Sequence, residues 1–342
     1  MTFSRLKSLP KPSATPTSYD VAQRAGVSQS AVSRCFRPGS SISAKTRARV
    51  IAAARELGYH PNAMASGLIT KRSNLVAVVI SNFTNLYYPE VLAELTRRLS
   101  DRGFRVLLFA LQAESDVDAM LDQVWRYRVD GAIIAARLAP EQLREFARRG
   151  VPVVLYNRFG EGEAVSSACC DSVGGERLLV ERLVAAGHKS FGVISGPADS
   201  YVSQQRVQGA VERLLEFGHE AIVVDGAFDY DSGGTGLREM LARTDGRLEA
   251  LICANDLMAI GAIDCARSEF GLAVPGDLSI VGFDGVAPAR WASYRLSTVR
   301  QPVGRMTEAG VLMVLERIED FGLSPEVRTF AGSLIEGSSA RF

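Results

Sequence analysis

A small three-helix head followed by a long α/β body made of two doubly wound halves is the architecture this sequence predicts. Three observations predict it. Helix starts and stops recur at short spacing over residues 17–61, apolar runs alternate with amphipathic stretches from Leu75 onward, and that alternation restarts near Phe191. At 342 residues the chain is too long for one core and has room for two or three domains.

Thr17-Ser-Tyr-Asp20 opens the first helix, with a hydroxyl to cap free N–H groups and an acid in the first turn. Val21, Ala22 and Ala25 make one short apolar face. Gly26-Val27 breaks it, and Ser28 caps a second helix running to about Phe36 with Ala31 and Val32 inward. Two short helices joined by a tight glycine-containing turn make the helix-turn-helix arrangement. A third helix follows Ser43, with Val50, Ile51, Ala54 and Leu57 inward and Arg47, Arg49 and Arg55 outward, and Gly58 ends it. Ahead of this head, residues 1–16 carry prolines and hydroxyls without apolar periodicity and read as a flexible tail. Behind it, Asn62 caps a helix of about two turns over Asn62–Thr70, too short to hold by itself. Its Ala63, Ala65, Ser66 and Gly67 are small enough for two copies to approach closely, leaving Leu68 as an apolar wedge. A plain flexible linker is the alternative. The resulting boundaries are a tail at 1–16, a head at 17–61, a hinge at 62–72 and a body at 73–342.

Composition narrows the function. Apolar residues at 47% and charged residues at 23% are those of an ordinary globular protein and exclude general disorder. No stretch approaches the ~20 uninterrupted apolar residues of a membrane span. The basic start, Met1 to Pro10, is followed by Pro, Ser and Thr where a secretory signal would place its apolar run, so a cytoplasmic protein is expected. The five cysteines (Cys35, Cys169, Cys170, Cys253, Cys265) lack disulfide or zinc spacing and read as small core hydrophobes. Net charge is only +1, but residues 1–72 hold twelve Lys/Arg against two acids, +10, and the remainder is −9. A basic head on an acidic body points to a polyanion partner for the head alone. Gln29, Ser30, Ser33 and Arg34 lie off the apolar face of the second helix, and such side chains can hydrogen-bond base edges and phosphates in a major groove. A solvated surface would look similar; the local charge favours nucleic acid.

Four motifs in this head, Tyr19-Asp-Val-Ala-Gln-Arg-Ala-Gly-Val-Ser28, Ala31-Val-Ser-Arg34, Ser43-Ala-Lys-Thr-Arg47 and Leu57-Gly-Tyr-His-Pro-Asn62, resemble the amino-terminal signature of the lactose-repressor (LacI/GalR) family. The resemblance implies that the helix from Gln29 reads the major groove and that Asn62–Thr70 is a hinge helix folding on operator DNA. Tyr19, Ser28, Gln29, Ser30, Ser33 and Arg34 are then the head's DNA contacts, with Asn62, Ala65 and the intercalating Leu68 from the hinge. Ser30 is shorter than the side chain usual at the family's second recognition position.

In the body, Leu75–Ile80, Arg105–Phe109, Gly131–Ala135 and Val151–Leu155 read as buried parallel strands, with helices such as Pro89–Asp101 and Glu141–Arg149 between them. Phe191–Ile194, Ala221–Val224, Ala250–Cys253 and Leu278–Gly282 repeat the pattern, with helices near Gly174–Ala186, Gln205–Phe217 and Leu257–Glu269. Two such sheets leave a cleft between them, and ligands sit at the carboxyl ends of the strands. The family resemblance continues through Gly187-His-Lys, Gly196-Pro197, Arg206-x-x-Gly209, Asn255-Asp256 and Gly282-Phe-Asp284, implying two subdomains of the type I periplasmic-binding-protein fold. In that fold the chain crosses three times, here near Ala168, Val299 and Phe330. The N-subdomain is then about 73–168 and 300–329, and the C-subdomain about 169–299 and 330–338.

Strand-end positions carry groups suited to a small polyhydroxylated effector, a sugar or sugar derivative. Asn157, Asn255-Asp256 and Asp284 follow strands, and Arg206 lies near a helix start; carboxylates and amides accept from vicinal hydroxyls, and arginine donates several bonds at once. Phe228 and Tyr87 or Tyr88 can stack on a sugar's C–H face, and these bulky rings suggest a pocket for a single ring. By the resemblance, Arg206, Asn255, Asp284 and Phe228 take the family's effector positions, joined by Tyr88, Asn157 and Gln301, and Tyr87 is added as a stacking ring. A helix N-cap is the ordinary alternative for an Asp or Asn after a strand.

Nothing supports catalysis, a cofactor or a metal. Gly187-His-Lys-Ser190 lacks the earlier glycine of a phosphate loop, Gly233-Gly-Thr-Gly236 lacks a preceding strand, and His60, His188 and His219 have no triad or zinc set around them. The expectation is a homodimeric, operator-binding transcriptional regulator, a repressor by family default, rather than an enzyme. Helix Pro89–Asp101 and the segment Ala254–Gly261 are expected at the dimer contact, and the absence of a heptad tail after Glu336 favours a dimer. The competing reading is a solute-binding receptor whose basic head has no specific DNA function.

Overall fold

The computed structural model describes residues 15–36, 40–61, 72–81, 85–111, 116–160 and 162–342. It divides into two compact units, one ending at Ser73 and one beginning at Asn74.

The head is three helices, α1 (Ser18–Ala25), α2 (Gln29–Cys35) and α3 (Ala44–Leu57). Local chemistry sets each end. Thr17 and Asp20 form a reciprocal capping box, and Ser28 and Ser43 each accept from a backbone N–H of their helix's first turn. Gly26 closes α1 at φ 59°, in the left-handed region where a side chain is strained. Val21, Val32 and Val50 are fully buried with Ala22, Ala25, Cys35, Ala53 and Ala54 around them. Ala31, Ile51 and Leu57, expected inward, are only part-buried, because a core this small closes over its valines and alanines.

The body carries two six-stranded sheets. The first has the order β11-β5-β4-β3-β1-β2, all parallel: β1 (Leu75–Ser81), β2 (Arg105–Leu111), β3 (Gly131–Ala135), β4 (Val153–Tyr156), β5 (Ser166–Asp171) and β11 (Val327–Ala331). The second has the order β12-β10-β9-β8-β6-β7: β6 (Phe191–Ile194), β7 (Ala221–Val224), β8 (Ala250–Cys253), β9 (Ser279–Asp284), β10 (Ser297–Arg300) and β12 (Ser333–Ile335). Only β12 runs antiparallel to its neighbour. Along β1, Val76, Val78 and Ile80 enter one apolar cluster and Ala77 and Val79 another, so both sheet faces are covered and the strand reads as a continuous apolar run.

The helices are α4 (Tyr87–Asp101), α5 (Val117–Tyr127), α6 (Pro140–Arg148), α7 (Ser172–Ala185), α8 (Tyr201–Glu216), α9 (Tyr230–Arg243), α10 (Asp256–Ser268) and α11 (Val303–Glu319). The chain passes from the first sheet to the second after Asp171, returns between Arg300 and Val303, and crosses again at Gly332. The expected crossing at Ala168 falls inside β5, which continues to Asp171 and keeps Cys169 and Cys170 in the first sheet. The expected crossings near Val299 and Phe330 likewise fall inside β10 and β11.

The glycine run at 233–236 lies in α9 and serves helix packing. A Cβ on Gly233 would meet the Met258 carbonyl oxygen at 2.0 Å, and one on Gly261 would meet that of Tyr230 at the same distance. This close α9–α10 contact corrects the dimer expectation for Ala254–Gly261. Apart from part-exposed Leu257 the segment is buried within its own subdomain, whereas α4 keeps an outward face at Ala93, Thr96 and Arg97. All five cysteines are buried and free. Among the described residues no helix is long and apolar enough to cross a membrane.

Candidate functional site

The head presents one polar face. Gln29 donates from Nε2 to Ser18 Oγ at 3.2 Å, which brings the start of α2 against the start of α1. Tyr19 beside it is 72% exposed, and Ser30 and Arg34 point to solvent on α2. Ser28 is spent on capping and touches Ser30, Oγ to Oγ, at 3.0 Å; Ser33 is part-buried. The arginines are not equivalent. Arg24 pairs with Glu56, Arg49 donates to the Ala25 and Gly26 carbonyls, and Arg47 turns in to the Cys35 carbonyl. Arg49 is exposed as expected, while Arg47, also expected outward, is part-buried, because unpaired carbonyls at the ends of α1 and α2 draw the guanidinium groups back onto the head. Asn62, Ala65 and Leu68 lie outside the described residues.

In the body, the carboxyl ends of both sheets face a cavity of about 310 Å³. Both sheets reverse strand order beside their first strand, and that is where α/β folds hold ligands. Tyr87, Tyr88, Asn157, Arg206, Phe228, Asp284 and Gln301 line it. Asn255, the remaining expected residue, does not. Its Oδ1 caps α10 at Met258 N and its Nδ2 donates to the Phe228 carbonyl, both at 2.9 Å, so the amide is spent and instead fixes Phe228 from behind. The Phe228 ring lies flat against Gly196, where any Cβ would come within 2.3 Å of it.

At the centre, Arg206 Nη2 meets Asp284 Oδ1 at 2.8 Å, with both side chains 2% exposed. Arg206 Nη1 donates to the Ala254 carbonyl, and its guanidinium stacks 3.9 Å over Phe283. Gln301 Nε2 donates to the same Asp284 oxygen at 2.7 Å, and Asn157 Nδ2 donates to Gln301 Oε1 at 3.2 Å. A polar chain therefore runs from the first sheet, through Gln301 at a crossover, to the second. Burial pushes the Asp284 carboxyl up, opposed by Arg206, Gln301 and Asn85. Among the described residues, Asp284 Oδ2 and Arg206 Nε are buried with no hydrogen-bond partner. Such an acceptor and donor on one ion pair can receive and supply bonds to vicinal hydroxyls.

Asn157, Phe228 and Asp284 all have positive φ, at 55°, 62° and 120°. Backbone strain at three side chains facing one cavity is a mark of a ligand site rather than of packing. The tyrosines are fixed as well. Tyr87 OH lies 3.3 Å from Tyr156 OH, and the Tyr87 and Tyr88 rings meet edge to face at 5.4 Å. The residues not anticipated in the lining are mainly Ser81, Asn85, Arg158, Asp199, Ser200 and Val202. Ser81 ends β1 and the others sit in strand-end loops or the first turn of α8, with Arg158 directly after Asn157, so position at or after a strand end is the signal that would have found them.

Residues 17–62 match the model of bacterial regulatory proteins of the lacI family, and residues 180–340 match a periplasmic binding protein-like domain. The HTH-type transcriptional regulator CelR of Thermobifida fusca is 33% identical over 314 residues, covering 89% of this chain and 92% of CelR. A solved CelR–cellobiose complex superposes with a TM-score of 0.72 at 31% identity, over 95% of this chain and all of that one. The lac repressor dimer bound to operator and the anti-inducer ONPF gives a TM-score of 0.84 at 27% identity, over 95% and 98% of the two chains.

Proposed function

The chain belongs to the lacI family of bacterial regulatory proteins, sequence-specific DNA-binding transcriptional regulators controlled by a small molecule, and we propose how its own residues divide that work. Tyr19, Gln29, Ser30 and Arg34 read the operator, with Ser28 and Ser33 framing the helix. Asn62, Ala65 and Leu68 act from the hinge. The effector is a sugar or sugar derivative held by Arg206 and Asp284, with Tyr87, Tyr88 and Phe228 against its C–H faces and Asn157 and Gln301 behind. The observation that carries this is the buried Arg206–Asp284 pair in the cavity lining, with one acceptor and one donor atom left unbonded among the described residues. CelR, a relative of similar length, is solved with cellobiose.

Regulation then follows from the polar chain Asn157–Gln301–Asp284–Arg206, which spans the two subdomains. A ligand that bonds Asp284 and Arg206 pulls on Gln301 at the crossover and favours one angle between subdomains over another. It regulates to the extent that it binds one arrangement more tightly. The protein acts as a cytoplasmic homodimer on a near-palindromic operator, two heads reading two half-sites, as a repressor.

The test is fluorescence anisotropy of the full chain on a small library of pseudo-palindromic DNA sites, with and without a panel of sugars and sugar phosphates. The expected result is one site bound well above random DNA at physiological salt, with an affinity changed at least tenfold by one compound. Binding no tighter than to random DNA would return the head to an electrostatic appendage and the body to a receptor.

A further inference from the structure

We propose that the body carries a second small-molecule site, remote from the cleft, in which Arg317 binds a short-chain monocarboxylate. This does not depend on the sugar reading of the cleft. The cleft lies at the carboxyl ends of the strands, whereas a separate pocket of about 80 Å³ opens at the amino ends of β4 and β5. Its apolar walls are Leu143 and Phe146 of α6, Val153 at the start of β4, Val165 just before β5 and Phe321 beyond α11. Three charged residues complete it: Arg144, Glu163 and, in the last turn of α11, Arg317.

Those charges do not balance. Arg144 Nη1 holds Glu163 Oε1 at 2.5 Å and its Nη2 holds Glu141 Oε1 at 2.6 Å, so the pocket's acid is engaged on the α6 rim. Arg317 is left over. Among the described residues it forms no ion pair, and its Nε is buried without a hydrogen-bond partner. Its guanidinium stands 5.3 Å from the centre of the Phe321 ring. Burial pulls its pKa down with no carboxylate opposing, whereas Arg144 and Arg238 are raised by the acids beside them. An arginine keeps its charge even so. The carbonyls ending α11 supply only a partial negative charge. A cation partly stripped of water against an apolar wall is a site for an anion.

The walls select the kind of anion. A carboxylate matches one guanidinium in a two-pronged pair, and a short alkyl tail covers Leu143, Phe146 and Val153. Inorganic phosphate would set hydrated oxygens against those same apolar walls. At about 10–15 Å³ for each water-sized group, the pocket has room for about six of them, the size of butyrate.

NMR of the full chain, labelled at its Val and Leu methyl groups, tests this by titration with butyrate, acetate, butyramide and inorganic phosphate at constant ionic strength. Butyrate should shift the Leu143, Val153 and Val165 methyls saturably and leave Val202, in the cleft, unmoved. Its two extra methylenes should tighten it over acetate by about tenfold. Butyramide, its neutral counterpart, and phosphate should each bind at least tenfold more weakly than butyrate. Arg317→Met, with the methyl spectrum of the free protein otherwise retained, should lose butyrate tenfold or more. If that variant disturbs the fold, the comparison of butyrate with butyramide on the wild type decides. Shifts confined to Val202, no saturable shift, or butyramide as tight as butyrate would overturn the site. So would unchanged affinity in Arg317→Met. Acetate or phosphate binding as tightly as butyrate would overturn the assignment to a carboxylate with an apolar tail. None of these results bears on sugar binding in the cleft.

Discussion

In the head, Tyr19, Ser30 and Arg34, three of the side chains proposed to read DNA, stand at the surface and hold almost nothing together: Tyr19 is 72% exposed, and Ser30 and Arg34 face solvent. In the cleft the relation is reversed. Arg206, Asp284, Asn157 and Gln301 are buried, bonded to one another, and part of what fixes the two subdomains. These three can therefore be changed with cost to binding alone, whereas a cleft residue carries stability and recognition together. The comparison breaks wherever a head contact proves structural or a cleft contact proves dispensable.

The largest effect is expected at Asp284. Asp284→Ala leaves the Arg206 guanidinium buried with the Ala254 carbonyl and no counter-charge, which costs about 3–5 kcal/mol in the unfolding free energy of the body. Urea unfolding followed by circular dichroism measures it, and a loss below about 1 kcal/mol would show that the pair is not structural. Sugar binding should vanish in the same variant.

A second effect concerns pH. Glu176 on α7 is 1% exposed and neither carboxylate oxygen has a hydrogen-bond partner among the described residues; Arg206, Asp284, Asp256 and Cys253 are titratable groups around it. Burial pushes its carboxyl up to about 8, with Arg206 only partly opposing. The folded state thus prefers the protonated acid. The stability this gives is full below the ordinary carboxylate range and is lost as pH rises through about 8. Asp256, also raised to about 8 by burial and by Asp284, adds in the same direction. Glu176→Gln, which keeps the neutral shape, should therefore lose about 2–4 kcal/mol less than the wild type between mildly acidic and alkaline pH. Parallel stability curves for the two proteins would mean that Glu176 is charged in the fold.

The head was legible because its signals are local. Thr17, Ser28 and Ser43 cap helices within three residues of themselves, and Gly26 and Gly58 end them. Strands β1, β3, β6 and β8 were legible as apolar runs. Strand β5, Ser-Ser-Ala-Cys-Cys-Asp, was not, since it is buried by position and carries no large apolar side chain. Strand β10, Ser-Thr-Val-Arg, is likewise buried with a single apolar branched side chain, and the edge strand β11, Val-Arg-Thr-Phe-Ala, escaped because it is largely exposed and has no continuous apolar run. In the cleft, position after a strand picked out Asp284 and Asn157 but could not separate a ligand group from a cap, and Asn255 proved to be the cap. The pocket at Arg317 joins residues far apart in sequence and left no trace in it.

Third in size is Arg34→Ala. Its guanidinium is exposed and, among the described residues, tied only by a 3.4 Å bond from Nε to the Ser30 carbonyl, so the head should keep its stability. Operator affinity should fall by about 1–3 kcal/mol, with specificity relaxed at one base position. An anisotropy titration on the preferred site and its single-base variants reads both. Unchanged affinity would remove Arg34 from the interface.

The smallest effect separates charge from contact. Arg49 adds to the same +10 that singles out the head, yet its guanidinium is occupied by the Ala25 and Gly26 carbonyls at the turn between α1 and α2. Arg49→Met keeps the side chain's length and removes those two bonds, exposing carbonyls that water can partly satisfy. The head should lose about 1 kcal/mol of stability. Its operator affinity, once the head is folded, should change less than that of Arg34→Ala and in a sequence-independent way, as expected of a long-range charge. The comparison sharpens if the two losses separate, one in unfolding and one in binding. If Arg49→Met instead relaxes base preference as Arg34→Ala does, the turn positions the reading helix, and the exposed face of the head is less independent of its core than the structure implies.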